Sequence, residues 1–445
     1  MDKKWADLTP DEKREARFKK WLEVPDIEFN SPEAKEAYGA RLKRMANAYR
    51  LKEPDRVPVQ FTFGDLPLKW AGVSPGTAMY DYSHIRRVWS RFLKDFEMDS
   101  YSGPGMAVLP GKIYDLIDYR LYIWPGHGLP ADAQAFQYIE GEYMKADEYD
   151  LLITDPSDFW LRVYLPRISS VFEPFRNVRP YTSIFESPMS YFVPYTGADV
   201  QAALQTLIDI GREMAKYQEV ITECTQEAAR AGVPSPVSGG LAKAPFDTIG
   251  DTLRGTQGIM LDMYRCPDKL HEAMDKLADI TINNAVSVAN ETGGITVGFP
   301  LHKGADGFMS DEQFETFYWP SLKKVMLALI DEGLIPSLFA EGSYGTRLEK
   351  INEFPKGSVI WRFDQTDMAR AKKILGDTCC ISGNVPSSVL TTGTPREVKE
   401  ICRELIEVCG KGGGYILSSG SSVDFAPPEN IHAMMEAARE YGVYN

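Results

Sequence analysis

Hydrophobic positions along this chain follow two alternating periods. Short apolar runs that fit strands buried on both faces occupy residues 57–63, 235–241, 294–299, 335–342, 358–363, 379–385 and 414–422. Helix-length segments separate most of them. The clearest carries Val398, Ile401, Cys402, Leu405 and Ile406 at helical spacing behind Thr394-Pro395-Arg396-Glu397, a capping box with Pro at the first helical position. Strands that alternate with helices imply an α/β fold with a parallel sheet. The number of such units predicts a closed (β/α)8 barrel, a TIM barrel, rather than an open doubly wound sheet. No glycine-rich dinucleotide fingerprint follows the first strand, which argues the same way.

Two regions depart from this register. Residues 1–45 are charged and helical in pattern, with Thr9-Pro10-Asp11-Glu12 as a cap and Trp5, Phe18, Trp21 and Leu22 as the large apolar groups. They read as a helical arm packed on the outside of the barrel or on a second subunit, so a homodimer stays open, and the barrel itself is expected over residues 46–445. A stretch from about residue 101 to 174 is rich in aromatics, Pro and Asp and contains Trp124-Pro125-Gly126-His127-Gly128-Leu129-Pro130. A long turn-rich insertion of that kind is the usual material of a lid or pocket wall.

Composition narrows the function classes. The 445 residues are 44% hydrophobic and 25% charged, ordinary for a globular protein with ample core. No stretch approaches the apolar length that spans a bilayer, and the N-terminus lacks an apolar signal region, so no membrane partner is expected and the chain is read as cytoplasmic. A formal charge of −14 disfavours nucleic acid. The six cysteines show no Cys-x-x-Cys spacing and read as reduced core thiols.

In a barrel the reacting groups come from the carboxyl ends of strands. Those ends carry Lys243, His302, Glu341, Asp364, Asn384 and Ser421. Glu341 closes an apolar strand, so burial would be costly unless it were paired or metal-bound; an ion pair with Arg347 or Arg362 is the plain alternative. His302 begins a loop at the expected rim, as ligand, general acid or a histidine that only bonds to backbone. Asp364 is a further catalytic candidate or a partner of Arg362. His127 and Trp124 could lower onto a flat ligand, Lys243 could hold an anionic group, and Asn384 and Ser421 could give neutral hydrogen bonds or simply form turns.

Several segments together resemble one family. Gly383-Asn384-Val385, Gly393-Thr394-Pro395, Gly412-Gly413-Gly414-Tyr415-Ile416-Leu417 and Pro428-Glu429-Asn430 are similar to the end of the uroporphyrinogen decarboxylase superfamily, joined by Arg56-Val57-Pro58-Val59 and by Pro245-Phe246 with Leu253-Arg254-Gly255. The resemblance implies a (β/α)8 barrel and offers two chemistries. Decarboxylases of the superfamily hold a polyanionic tetrapyrrole with an arginine-bearing segment after the first strand; here Gly64-Asp65-Leu66-Pro67-Leu68-Lys69 has none. The other branch, corrinoid-dependent methyltransferases, moves a methyl group between a small methylated or methoxylated molecule and a corrinoid-binding partner protein. Thiol-active members bind zinc through His-x-Cys-Gly and a final-loop Cys, where this chain has Ala340-Glu341-Gly342 and Ser421. The resemblance therefore favours O-demethylation with a corrinoid carried by a partner and keeps zinc as a candidate, with His302 and Glu341 as its ligands. A decarboxylase and a non-catalytic ligand-binding barrel are the alternatives.

Overall fold

The computed structural model describes residues 3–101, 103–133, 136–184, 186, 188, 191–235 and 238–444. Ten strands occur among them: β1 (Val59–Gln60), β2 (Tyr122–Pro125), β3 (Gly128–Leu129), β4 (Gln137–Tyr138), β5 (Ser238–Leu241), β6 (Thr296–Leu301), β7 (Ile335–Ala340), β8 (Ile360–Phe363), β9 (Cys380–Ser382) and β10 (Tyr415–Ser418). Seven form one parallel sheet in the order β1-β10-β9-β8-β7-β6-β5. Its longest pairing runs unbroken from Thr296 opposite Ile335 to Leu301 opposite Ala340. Each apolar run predicted as a strand overlaps one of these seven.

The sheet curls, and its two free edges approach each other across the segment 98–101. Asp99, fully buried, accepts the backbone N–H of Val59 at 2.8 Å, while the Tyr101 N–H donates to Pro234 O at 2.8 Å, just ahead of β5. Arg56 and Arg44 both donate to the Asp99 carboxylate, at 2.7 Å and 2.6 Å for the closest contacts. The eighth place in the barrel is thus held by the Asp99 carboxylate on one side and a single backbone bond on the other, where a regular ladder would otherwise run. Helices cover the outer face, among them Pro267–Thr292, Trp319–Asp331, Pro395–Cys409 and Pro428–Tyr441. The predicted capping box at Thr394 is formed, with Glu397 N–H on Thr394 Oγ1 at 3.3 Å and Thr394 N–H on Glu397 Oε2 at 2.7 Å.

The N-terminal residues form helices α1 (Pro10–Trp21) and α2 (Pro32–Tyr49). They pack on this chain's own barrel: Phe18, Trp21, Leu42, Met45 and Tyr49 bury against Ile295, Ile335, Ile360, Cys380 and Ile416 at the amino ends of the strands. Arg17 ties the arm down by donating to Glu332 O at 2.9 Å, Gly294 O at 3.1 Å and Asn290 Oδ1 at 2.9 Å. The opposite end of the barrel is left for chemistry. Residues of the insertion make a second sheet, ordered β3-β2-β4, backed by Tyr114, Tyr119, Tyr122, Phe136 and Tyr138. All six cysteines are free thiols, five of them buried. No helix among the described residues is long and apolar enough to cross a membrane.

Alternation along the strands shows what lies inside. On β6, β7 and β8 the fully buried Val297, Leu338, Trp361 and Phe363 alternate with the half-buried Gly298, Pro300, Ser337, Phe339 and Arg362. Successive side chains of a strand point to opposite faces, so the half-buried set faces one common space. Because Gly298, Ser337 and Ser382 are small, that interior is hollow: a cavity of about 520 Å³ replaces the layers of branched side chains that usually fill a barrel.

Candidate active site

The rim residues stand one strand repeat above this cavity. Leu241, Pro300, Phe339, Arg362 and Ser382 line it, and two residues further on come Lys243, His302, Glu341, Asp364 and Asn384. The period of two therefore carries the cavity wall up to the predicted strand-end groups.

His302 is held from both its backbone and its ring. Pro245–Asp247 starts a short helix that continues as a π-helical turn, Thr248–Leu253, and this turn aims Asp247 and Asp251 at the end of β6. Asp247 is fully buried and accepts the backbone N–H of His302 at 3.1 Å, that of Lys303 at 3.0 Å and the hydroxyl of Tyr318 at 2.8 Å. Burial, with the nearby Asp251 charge, raises its pKa to about 6. Asp251 accepts the His302 Nδ1–H at 2.7 Å and lies 2.8 Å from Lys243 Nζ and 3.1 Å from Lys303 Nζ. Burial alone would raise the Asp251 carboxyl, but the bond from His302 and the charge of Lys243 outweigh it, and the group is held well below the usual carboxylate range. His302 responds in the other direction. Its bond to Asp251 raises its pKa above the ordinary imidazole value against a smaller opposing effect of burial, so the ring favours the protonated form.

The free Nε2 of His302 faces Glu341 Oε2 at 3.9 Å. That gap admits a small bridging group or a water. The alternative of an ion pair with Arg347 or Arg362 is not realised: the Glu341 side chain is 55% exposed, and neither arginine pairs with it. Arg347 is spent on Asp311 and the Met309 carbonyl instead. Being exposed, Glu341 carries no burial cost, and the strand simply ends one residue too early to enclose it.

The other strand-end candidates hold the rim together. Asp364 Oδ2 accepts the Gly342 N–H at 3.1 Å, fixing the turn after Glu341. Asn384 gives both amide hydrogens to loop carbonyls, Asp364 O at 3.1 Å and Thr366 O at 2.7 Å, and Ser421 bonds with Ser387 at 2.8 Å. The last loop is pressed against Asp364: a Cβ on Gly420 would lie 2.9 Å from the Asp364 carbonyl oxygen, so only glycine fits. The structure thus brings Lys243, His302 and Glu341 into one chain of contacts, with Asp364, Asn384 and Ser421 as its bracing. Trp124 and His127 stand apart. Trp124 is buried in a separate apolar cluster and donates to Tyr80 OH at 3.1 Å, while His127 stacks on it at 4.8 Å and pairs with Asp115 at 3.1 Å. From the insertion it is Ala107 and Phe136 that line the cavity.

Among the described residues that line the cavity one is a cation, Arg362, with Gln60, Thr62 and Asp424 among the polar residues and Phe63, Phe136 and Phe339 among the apolar ones.

Residues 193–441 match the uroporphyrinogen decarboxylase (URO-D) family. The chain belongs to that family. Uroporphyrinogen decarboxylases of Coxiella burnetii (strain RSA 493 / Nine Mile phase I) and Vibrio cholerae serotype O1 (strain ATCC 39541 / Classical Ogawa 395 / O395) are 23% and 27% identical to it. The alignments cover 184 and 203 residues, 41% and 44% of this chain and 50% and 56% of the relatives. The chain spans about half the length of these curated relatives. A solved structure described as a methyltransferase from Methanosarcina mazei superposes with a TM-score of 0.58 over 90% of this chain and 98% of the other, at 15% identity, a likeness of fold.

The expected zinc finds too few donors in this URO-D family member. Catalytic zinc takes three protein ligands. His302 has one nitrogen committed to Asp251, leaving Nε2 and Glu341 as two donors, and the described residues contain no group of three His, Cys, Asp or Glu suited to a metal. Asp247 and Asp251 were missed from sequence. Their spacing of four reads as the solvated face of a helix, and only the fold turns it inward.

Proposed function

We propose that this protein is a methyltransferase that takes a methyl group from a small methoxylated or methylated molecule and passes it to a corrinoid carried by a partner protein. The observation that carries this reading is the Asp251–His302 pair, whose free Nε2 points across a 3.9 Å gap to Glu341 above a hollow barrel. The likeness in fold to a protein described as a methyltransferase agrees with it. We further propose that residues 1–45 serve as an arm, 46–445 as the catalytic barrel and about 101–174 as its lid.

Cleaving a methyl ether leaves an oxygen anion. The methyl group departs without the bonding pair, which stays on the oxygen, and the reduced corrinoid of the partner supplies the nucleophile that receives it. His302, kept protonated by Asp251, donates its Nε2 proton to the leaving oxygen. Lys243 and Lys303, both at Asp251, add positive charge where the negative charge develops. Glu341, exposed at the mouth, returns a proton to His302 from solvent between turnovers.

Decarboxylation of a polycarboxylate tetrapyrrole is the weaker reading. Such a substrate calls for several cations inside the pocket, and among the described lining residues there is one, Arg362. The test uses purified protein, a methoxylated phenol and chemically reduced cobalamin, with the methylated cobalamin followed by its absorbance. Product is expected only when all three are present. Consumption of uroporphyrinogen without any corrinoid would overturn the proposal in favour of the decarboxylase.

A further inference from the structure

Among the described residues, three buried arginines are well satisfied where Arg362 is not. Arg254 donates to Asp262, Glu142 and the Met144 carbonyl; Arg44 donates to Asp55 and Asp99; Arg17 has three acceptors. Arg362 has one, the hydroxyl of Thr62. Its Nε is buried and has no hydrogen-bond partner. No carboxylate among the described residues forms an ion pair with it, and its guanidinium lies 4.0 Å over the Phe339 ring. Burial pushes it down to about 10, with Asp364 and Glu341 giving only a weaker opposing field from the rim. A buried charge without a partner is costly, and a guanidinium offers a fixed fork of donors that matches a carboxylate.

The surroundings say what shape would bring that carboxylate. Arg362 lies on β8 two residues before Asp364, so it sits about 7 Å below the rim. A single aromatic ring spans that rise. Phe63, Phe136 and Phe339 supply aromatic walls, and Gly298 and Ser337 leave the room.

We propose that Arg362 is the anion-binding residue of the barrel cavity and that the ligand is a compact aromatic molecule bearing one carboxylate, seated with that group on Arg362 and its far end at the rim. This rests on the methyl-transfer reading only for what the far end carries: a methoxyl group there would meet His302 and Glu341. The exposed Asp424, also on the cavity wall, would repel a second anionic group and so favours a monoanion.

The test is a binding measurement on the full chain without corrinoid, so a failure here is separate from a failure of methyl transfer. Calorimetric titration compares 4-methoxybenzoate with its neutral counterpart 4-methoxybenzamide. The acid is expected to bind about tenfold to a hundredfold more tightly than the amide. Arg362→Gln should remove the preference, Arg362→Lys should restore part of it, and Ser337→Leu, which fills the cavity, should weaken both ligands. Equal affinity for acid and amide, no binding of the acid at millimolar concentration, or an unchanged preference in R362Q would each overturn the proposal. The comparison of two ligands on the unaltered protein decides the matter even if a variant does not fold. Binding of the acid without methyl transfer would leave Arg362 its role and refute only the proposed reaction.

Discussion

Replacing Asp247 separates two forces that act on one carboxylate. Burial raises its pKa from 3.8 to about 6, yet the same group accepts three hydrogen bonds, from the His302 and Lys303 backbones and from Tyr318. A carboxylate raised in the folded state binds its proton more tightly there. Its contribution to stability is therefore complete below the unfolded pKa and is lost as pH rises through about 6. At about 1.4 kcal/mol per unit, the span of roughly two units corresponds to about 3 kcal/mol, of which roughly 1 kcal/mol falls between about pH 5 and pH 7. Asp247→Asn stays uncharged and loses none of this, but its amide nitrogen must face one of the three donors, a fixed cost of about 1–3 kcal/mol. Urea unfolding followed by tryptophan fluorescence at several pH values should show the variant less stable than the parent near pH 5 and the difference shrinking toward pH 7. Parallel curves would refute the reasoning, because Asp247 would then be ionised throughout, with its hydrogen bonds outweighing its burial. Asp247→Ala should orphan all three donors at every pH and raise hydrogen exchange at the His302 and Lys303 amides.

Four further outcomes follow from the same geometry. His302→Ala and Glu341→Gln should lower methyl transfer, the first by about a hundredfold or more; Glu341→Gln should change stability by less than about 0.5 kcal/mol, because that side chain is 55% exposed. Asp251→Asn should move the His302 titration, read by NMR, to lower pH, since its hydrogen bond to the ring is the largest cause of the upward shift. In the parent, the stabilisation from that raised imidazole is full below the unfolded histidine pKa and is lost as pH rises through the folded one, so the variant should show a flatter stability profile above neutrality. Asp99→Ala should cost about 3–5 kcal/mol in chemical denaturation, because it strands Arg44, Arg56 and the Val59 N–H together. Thr394→Ala should cost about 1 kcal/mol through loss of the cap, with no effect on ligand binding.

The strands from β6 onward were readable because each lies in a run that is apolar over several residues and leads into small or polar ones, a local signal that needs no partner. The barrel's eighth place was not readable: residues 98–101 take it through the Asp99 carboxylate and one backbone bond from Tyr101, and a lone buried aspartate has no sequence period. That Lys243, His302 and Glu341 share one rim was legible from their strand-end positions. Asp251 and Asp247 lay hidden in a segment that reads as an ordinary helix start, and their meaning depends on a π-helical turn. Arg362 was visible as a charge inside an apolar run, but its lack of a carboxylate partner is a fact of three dimensions. The insertion misled through its most conspicuous residues: Trp124 and His127 stabilise its own sheet, and the plainer Phe136 reaches the cavity.

The alternation along the barrel strands also divides the labour of mutation. Val297, Trp361 and Ile381 face the helices and hold the fold, whereas Gly298, Ser337 and Ser382 touch the hollow and carry little of the packing. Exchanges at the second set can reshape the chamber by a few methyl groups at a time while the scaffold stays as it is. A lineage built on this chain could thus reshape its chamber by drift at three inward positions, leaving the rim around His302 and the fold beneath it unchanged.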